Sequence, residues 1–325
     1  MSPATQPGRA GGGWRRIMRD RPLIPLIALL VVLIVVLELL RPGIVNERWI
    51  ANTIKFAIPL AILAACQTLT MLTGGIDLSV GIVATMSAFV MATQVTTHDP
   101  SFAILVALAP AVLVGLANGV GVAFFRVHPL IMTLGMSLIV TGCLQVYQRT
   151  VLATGSAIPE ALAWLGTGRS FGIPNSLLLF VPLAALIMFG LRRTGFGRLL
   201  YAIGDNESAA RLAGVRVWQV IIVLYVISGL LAGIAGLLYV GLIKAPSLSL
   251  AVPLLLPSVA AAVIGGTSIF GGRGGYAGTI VGALILTVLT TLLTVLQMPE
   301  GSRRILFGAI ILAVTAAYTR ITEES

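Results

Sequence analysis

This sequence predicts an all-α fold: a polytopic transmembrane helical bundle of about ten spans, with one short helix held outside the membrane. Three observations predict it. First, 58% of the 325 residues are hydrophobic and only 10% charged, with mean hydropathy +1.03. A soluble domain could not expose so little charge and stay dissolved. Second, apolar runs long enough to cross a hydrocarbon core of about 30 Å recur along the chain. Third, the basic residues behind the net charge of +10 punctuate the ends of those runs, as orientation in a membrane requires. They form no aromatic-interleaved patch on a soluble module, which argues against nucleic acid as a partner.

The spans fall at about 22–40, 50–73, 78–96, 101–125, 129–149, 174–191, 217–243, 250–270, 275–297 and 304–320. The first follows a basic tail, 1–21, with Arg9, Arg15, Arg16, Arg19 and Arg21. It is read as retained, because Glu38-Leu-Leu-Arg-Pro-Gly offers no small-x-small cleavage pattern. Between the second and third spans, Leu72-Thr-Gly-Gly-Ile-Asp77-Leu-Ser-Val-Gly81 breaks the apolar pattern at membrane depth and is a candidate re-entrant turn. The longest outer loop, Thr150 to Ile173, is either a plain connector or carries a short interfacial helix near Glu160–Leu165. The last run is short, and a tail, 321–325, follows it. Cys66 and Cys143 both fall inside spans and read as small buried packing residues.

With the N-terminus in the cytoplasm, ten spans place the C-terminus there too. Thirteen of the 21 basic residues then lie inside, the sense the positive-inside rule demands. The same orientation places the polar island at 192–218 in the cytoplasm. It opens Arg192-Arg-Thr-Gly-Phe-Gly-Arg and interrupts an otherwise apolar chain.

Several chemistries are missing. No phosphate loop exists; Gly266-Thr-Ser-Ile-Phe-Gly271-Gly-Arg273 lacks the lysine and hydroxyl that hold phosphate and magnesium. The two histidines, His98 and His128, and the eleven acids form no pair or cluster at catalytic or metal-ligand spacing. The chain is therefore expected to be no enzyme and to bind no cofactor or metal itself. An ion-coupled secondary transporter would want buried ionisable groups, and only Glu38, Lys55 and Asp77 are candidates.

The island can form a helix over about Asn206–Ala213, capped by Asp205 or Asn206 and stopped by Gly214. It is too short to stand alone in water. It is either a solvated connector or a docking helix for a cytoplasmic partner. In the 72–81 break, Asp77 can cap the next helix, line a transport path, or do both, beside Gly74, Gly75 and Ser79. Gln67, Asn118 and Gln145 are mid-span polar residues, more often interhelical glue than ligand contacts. Gly115-x-x-x-Gly119, Gly229-x-x-x-Gly233 and Gly278-x-x-x-Gly282 permit tight helix crossings, within the chain or between subunits.

Three stretches resemble a known family: Thr73-Gly-Gly-Ile-Asp-Leu-Ser-Val-Gly81, Gly204-Asp-Asn-Glu-Ser-Ala-Ala-Arg-Leu-Ala-Gly-Val215, and Ile264-Gly-Gly-Thr-Ser-Ile-Phe-Gly-Gly-Arg-Gly-Gly275. Pro129-Leu-Ile-Met-Thr-Leu-Gly135 is a weaker fourth. In order and spacing they resemble the permease subunits of bacterial monosaccharide ABC importers of the ribose/xylose/galactose type, within a larger group that includes branched-chain amino acid permeases. The resemblance implies a permease domain over 22–320 in the bacterial inner membrane, paired with a second copy or homologue around a path for a sugar. Cargo of the same type, such as a branched-chain amino acid or a signal molecule, is the alternative. It also implies cytoplasmic ATP-binding subunits that hold ATP and magnesium, and a periplasmic or lipoprotein solute-binding protein. Asp205, Asn206, Glu207, Ala209, Ala210, Arg211, Ala213 and Gly214 would carry coupling to the ATPase, the alanines by allowing close approach. Gly74, Gly75, Asp77, Ser79, Asn118 and Gln67 are the path or gate candidates. His128 before Pro129, where relatives often have a small polar residue, and the basic pair Arg303-Arg304 depart from the family pattern.

Overall fold

The structure, a computed structural model, describes residues 23–151, 155–299, 301–306, 308, 309 and 312. Both tails, the arginines of the first one and most of the run expected at 304–320 lie outside the described residues.

In chain order the helices are α1 (Leu23–Leu40), α2 (Glu47–Leu72), α3 (Val80–Gln94), α4 (Pro100–Ala123), α5 (Pro129–Thr150) and α6 (Glu160–Thr167). A two-stranded hairpin, β1 (Arg169–Ser170) and β2 (Ile173–Pro174), leads to α7 (Ser176–Arg193), α8 (Gly195–Asp205), α9 (Glu207–Leu212) and α10 (Val217–Ile243). A single 3₁₀ turn at Val252–Leu254 precedes α11 (Leu255–Ile264) and α12 (Tyr276–Val295). Among the described residues, seven helices are long and apolar enough to cross a membrane: α1, α2, α4, α5, α7, α10 and α12. The fold is thus an all-α polytopic bundle.

Local sequence sets the helix starts. Asn46 Oδ1 accepts the Trp49 N–H at 3.0 Å, and Glu47 stands in the first turn of α2, where a negative charge favours the helix dipole. Asp99 caps α4 through the Ser101 N–H, and Pro100 and Pro129 open α4 and α5, where no N–H is missed. Glu38 closes the turn after α1 by accepting the Gly43 and Val45 N–H groups at 2.6 and 3.0 Å.

α10 is the central helix, packed against α4, α2 and α3. Glycine lets it approach closely. A Cβ at Gly115 or Gly229 would collide with a carbonyl oxygen across the α4–α10 crossing, Tyr225 O or Ala111 O. The third glycine pair serves the α11–α12 crossing in the same way. All three pairs therefore act within the chain. α1 lies outside against α12 with Leu37 its one buried residue.

Two expected spans are broken. The span expected at 78–96 contracts to the fifteen residues of α3, after an irregular turn at 73–79. The span expected at 250–270 is not one helix. Pro246 and Pro253 keep the chain irregular down to the 3₁₀ turn, and Gly265-Gly266 end α11 after ten residues. That descending chain reaches well into the bundle, where Ala251 N–H bonds to Thr85 Oγ1 of α3 at 3.0 Å. Hydropathy alone misses these breaks, because residues around them remain apolar.

At one end of the bundle lie the island, the 124–128 turn, the first break at 73–79 and the second at 265–275, where the chain leaves α11 for α12. At the other end α6 and the hairpin are stapled to α2. Lys55 Nζ donates to Thr167 O, and Arg169 Nη2 reaches Glu47 O at 3.0 Å and Glu47 Oε1 at 3.6 Å. The loop from Thr150 to Ile173 therefore carries a helix and is not a plain connector. Cys66 is buried as expected, whereas Cys143 is exposed because α5 turns that face outward.

Candidate functional site

Two constellations occupy the island end. The first is the island itself. Thr194 Oγ1 caps α8 through the Gly197 N–H, and α8 seats Gly197, Leu200 and Ile203 on the bundle. Its apolar spacing makes it a helix lying along the end of the bundle. α9 then projects outward. Asn206, rather than Asp205, is its cap: Asn206 Oδ1 accepts the Ala209 N–H at 2.9 Å. Its end is a two-bond stop, Gly214 N–H to Arg211 O at 3.0 Å and Val215 N–H to Ala210 O at 3.1 Å. Gly214 stands at φ +85°, which a β-branched residue resists.

The helix presents two faces. Ala210 is turned inward at 6% exposure and packs into the core, so it seats α9 on its own chain and is not open to a partner. Asp205, Asn206, Glu207, Ala209, Arg211, Ala213 and Gly214 are exposed, and Arg211 Nε bonds Glu207 Oε1 at 2.9 Å. Sequence reasoning missed Leu212, which stands 90% exposed at the tip. A large apolar residue in an otherwise polar and small-residue stretch, just before Ala213-Gly214, was the available signal. Beside α9 a cavity of about 680 Å³ is lined in part by Gly74, Arg126, His128, Arg211 and Trp218.

The second constellation is a buried polar lock that closes the 73–79 break. Asp77 Oδ1 accepts the Ser79 N–H at 2.9 Å and the Ser79 hydroxyl at 2.6 Å, so Asp77 does cap the entry to α3. Its Oδ2 accepts from Ser228 of α10 at 2.9 Å. Gln67 of α2 clamps the Asp77 backbone from both sides, Nε2 to Asp77 O at 2.7 Å and Asp77 N–H to Oε1 at 3.3 Å. Asn118 of α4 donates to Ser79 Oγ at 3.0 Å, and Thr133 of α5 accepts the Leu78 N–H at 3.0 Å. Four helices thus meet on one seven-residue turn, which a membrane tolerates only when every backbone group is satisfied. Asp77, Ser79, Gln67, Asn118, Thr133 and Ser228 are all buried. Gly75 is buried beside Tyr225 and Pro129, and Gly74, at φ +76°, is exposed. Gln145, by contrast, is exposed on α5. Ser228 was missed because a mid-span serine gives no sign of a partner 151 residues away.

Among the described residues no group of three His, Cys, Asp or Glu side chains could hold a metal ion. The arrangement defines a class: a multi-pass helical membrane protein with broken spans, a buried polar lock and a projecting capped helix at one end. The family model described as "Branched-chain amino acid transport system / permease component" matches residues 49–315, and the chain belongs to that family. It is 35% identical over 299 residues to the ribose import permease protein of Escherichia coli (strain K12), covering 91% of this chain and 92% of that one. It is 36% identical over 265 residues to the fructose import permease protein of Rhizobium meliloti, covering 78% and 73%. The ribose import permease protein of Bacillus subtilis (strain 168) is 32% identical over 278 residues, covering 85% and 86%. No solved structure matches the chain.

Proposed function

We propose that this chain is the permease subunit of an ATP-driven importer and forms the path for a monosaccharide. The observation that carries the reading is the near end-to-end similarity to a ribose import permease, with fructose import permeases beside it. On this reading the chain has no ATPase site, and cytoplasmic ATP-binding subunits dock on α9. A second permease copy or homologue completes the path in the inner membrane. A periplasmic or lipoprotein binding protein delivers the sugar, and both termini and the island face the cytoplasm. Capped, stopped and seated by Ala210, α9 holds the exposed Asn206, Glu207, Ala209, Arg211, Leu212 and Ala213 out toward a partner. Leu212 is the apolar knob such a docking surface would bury.

Asp77, Ser79, Gln67 and Asn118 act on the path by fixing the turn at 73–79, while the exposed Gly74 lines the cavity beside α9. The family's description favours a second reading, in which the cargo is a branched-chain amino acid.

Uptake by the reconstituted complex, with labelled ribose, fructose and leucine in parallel, separates the two. ATP-dependent accumulation of a sugar is expected; accumulation of leucine alone would sink the sugar reading. Orientation has its own check. With Cys66 and Cys143 replaced, Ser208→Cys should resist an impermeant thiol reagent applied from the periplasm, and labelling from that side would reverse the topology.

A further inference from the structure

The island touches both broken spans at one point. Gly204, at the end of α8, packs where the last carbonyl of α2 meets the second break: the Gly272 N–H donates to Leu72 O at 3.0 Å. A Cβ at residue 204 would collide with Leu72 O and come within 2.5 Å of Gly272 N. The contact is mutual, since a Cβ at Gly271 would sit 2.7 Å from Gly204 O. One turn earlier on α8, the Tyr201 hydroxyl donates to Gly274 O at 2.9 Å. The second break is stiff in itself, with Ser268 N–H bonded to Arg273 O at 2.9 Å and Thr267 N–H to Ala262 O at 3.0 Å. The first break is stiffened by the Asp77 lock. Only one residue, Asn206, separates α8 from α9.

We propose that Gly204 and Tyr201 are positioning residues of a rigid joint, through which α9 and both broken spans move as one body. The physical reason is packing. The Leu72–Gly272 bond ties the two breaks to each other, and α8, packed backbone against backbone on that bond at Gly204, cannot slide over it without breaking the Tyr201–Gly274 bond, so displacement of α9 is carried into both turns together. The joint rests on the proposed docking of an ATPase at α9, and its failure is separable from failure of that docking.

The test uses the complete transporter with its ATPase and binding protein, and reads ATPase co-purification, thermal stability and ATP consumed per sugar imported. Tyr201→Phe removes one hydroxyl and no packing. It should leave co-purification at the wild-type level and lower melting by no more than about 2 °C, while ATP consumed per sugar rises about threefold, the worth of one hydrogen bond. Gly204→Ala should keep the ATPase bound and lower uptake about tenfold, since a methyl must wedge the joint open. If Gly204→Ala does not assemble, Tyr201→Phe decides.

A cross-link tests rigidity directly. Asp205 Cβ lies 3.5 Å from where a Cβ on residue 272 would sit, within disulfide reach. In a Cys143→Ser background, Asp205→Cys with Gly272→Cys should import at one rate, below wild type because of the Cβ added at φ +69° but well above background, whether oxidised or reduced. Unchanged ATP consumption per sugar in Tyr201→Phe, or uptake lost on oxidation and restored on reduction, would overturn the joint. So would loss of the ATPase from a Gly204→Ala permease that inserts and melts like wild type, because residue 204 would then belong to the docking surface. A wild-type chain that holds no ATPase would instead sink the docking reading.

Discussion

The first break, 73–79, and the second, 265–275, meet the same demand with opposite chemistry. Each joins apolar helices at the island end of the bundle, and each must satisfy the backbone groups it buries. The first does so with side chains from four helices: Gln67, Asn118, Thr133 and Ser228 converge on Asp77, Leu78 and Ser79. The second does so with backbone and glycine. Gly266, Gly271, Gly272 and Gly274 adopt positive φ, and the turn bonds to itself and to Leu72 O. The two breaks are therefore vulnerable to opposite changes. The first fails when a polar group is removed, the second when a carbon is added.

Asp77→Leu should have the largest effect. It strips the acceptor from the Ser79 N–H, the Ser79 hydroxyl and the Ser228 hydroxyl at once. A buried donor left unpaired costs about 1–3 kcal/mol, so the sum should reach about 3 kcal/mol or more even if one hydroxyl finds a new partner. Thermal melting of the purified chain should show it, as should poor accumulation in membranes. Near-wild-type melting would mean the lock is ornamental.

Gly282→Val comes next and probes the second break from its flank. A Cβ there would collide with Ala261 O at the α11–α12 crossing. Overpacking of this kind costs about 1–3 kcal/mol. Because α11 and α12 frame 265–275, uptake should fall together with stability. A melting temperature equal to wild type would show that the crossing is loose, and that the contrast between the two breaks is overstated.

Much of this contrast was legible in the sequence, but unequally. Gly74-Gly75 and Asp77 marked the first break, because glycine and a carboxylate stand out in apolar surroundings. The cap and stop of α9 were legible to within a residue, because Asn206 and Gly214 act locally. The second break was hidden under hydropathy. Its glycines stood in plain view, yet the residues before them are as apolar as any span. Ala210, expected to face a partner, is buried against its own chain, and Leu212, given no role, stands exposed, since a six-residue helix has too few turns for its buried face to be read from spacing. Ser228 and Tyr201 were illegible for another reason: their partners are distant in sequence and fixed only by packing.

The smallest effect expected is also the sharpest test of the lock. Asp77→Asn keeps one acceptor oxygen for both Ser79 bonds and turns an amide toward Ser228. Ser228 Oγ can accept that amide proton and send its own hydroxyl proton to the carbonyl one turn back on α10. The three hydrogen bonds are preserved and what is added is one amide proton without an acceptor, so the cost should be about 1 kcal/mol, well below that of Asp77→Leu. If Asp77 works by holding the turn, melting and uptake should both remain close to wild type. If its charge serves the path, uptake should fall while melting does not change. That second outcome would move Asp77 from the frame of the path to its lining. The first break would then differ from the second in function as well as in the means of its closure.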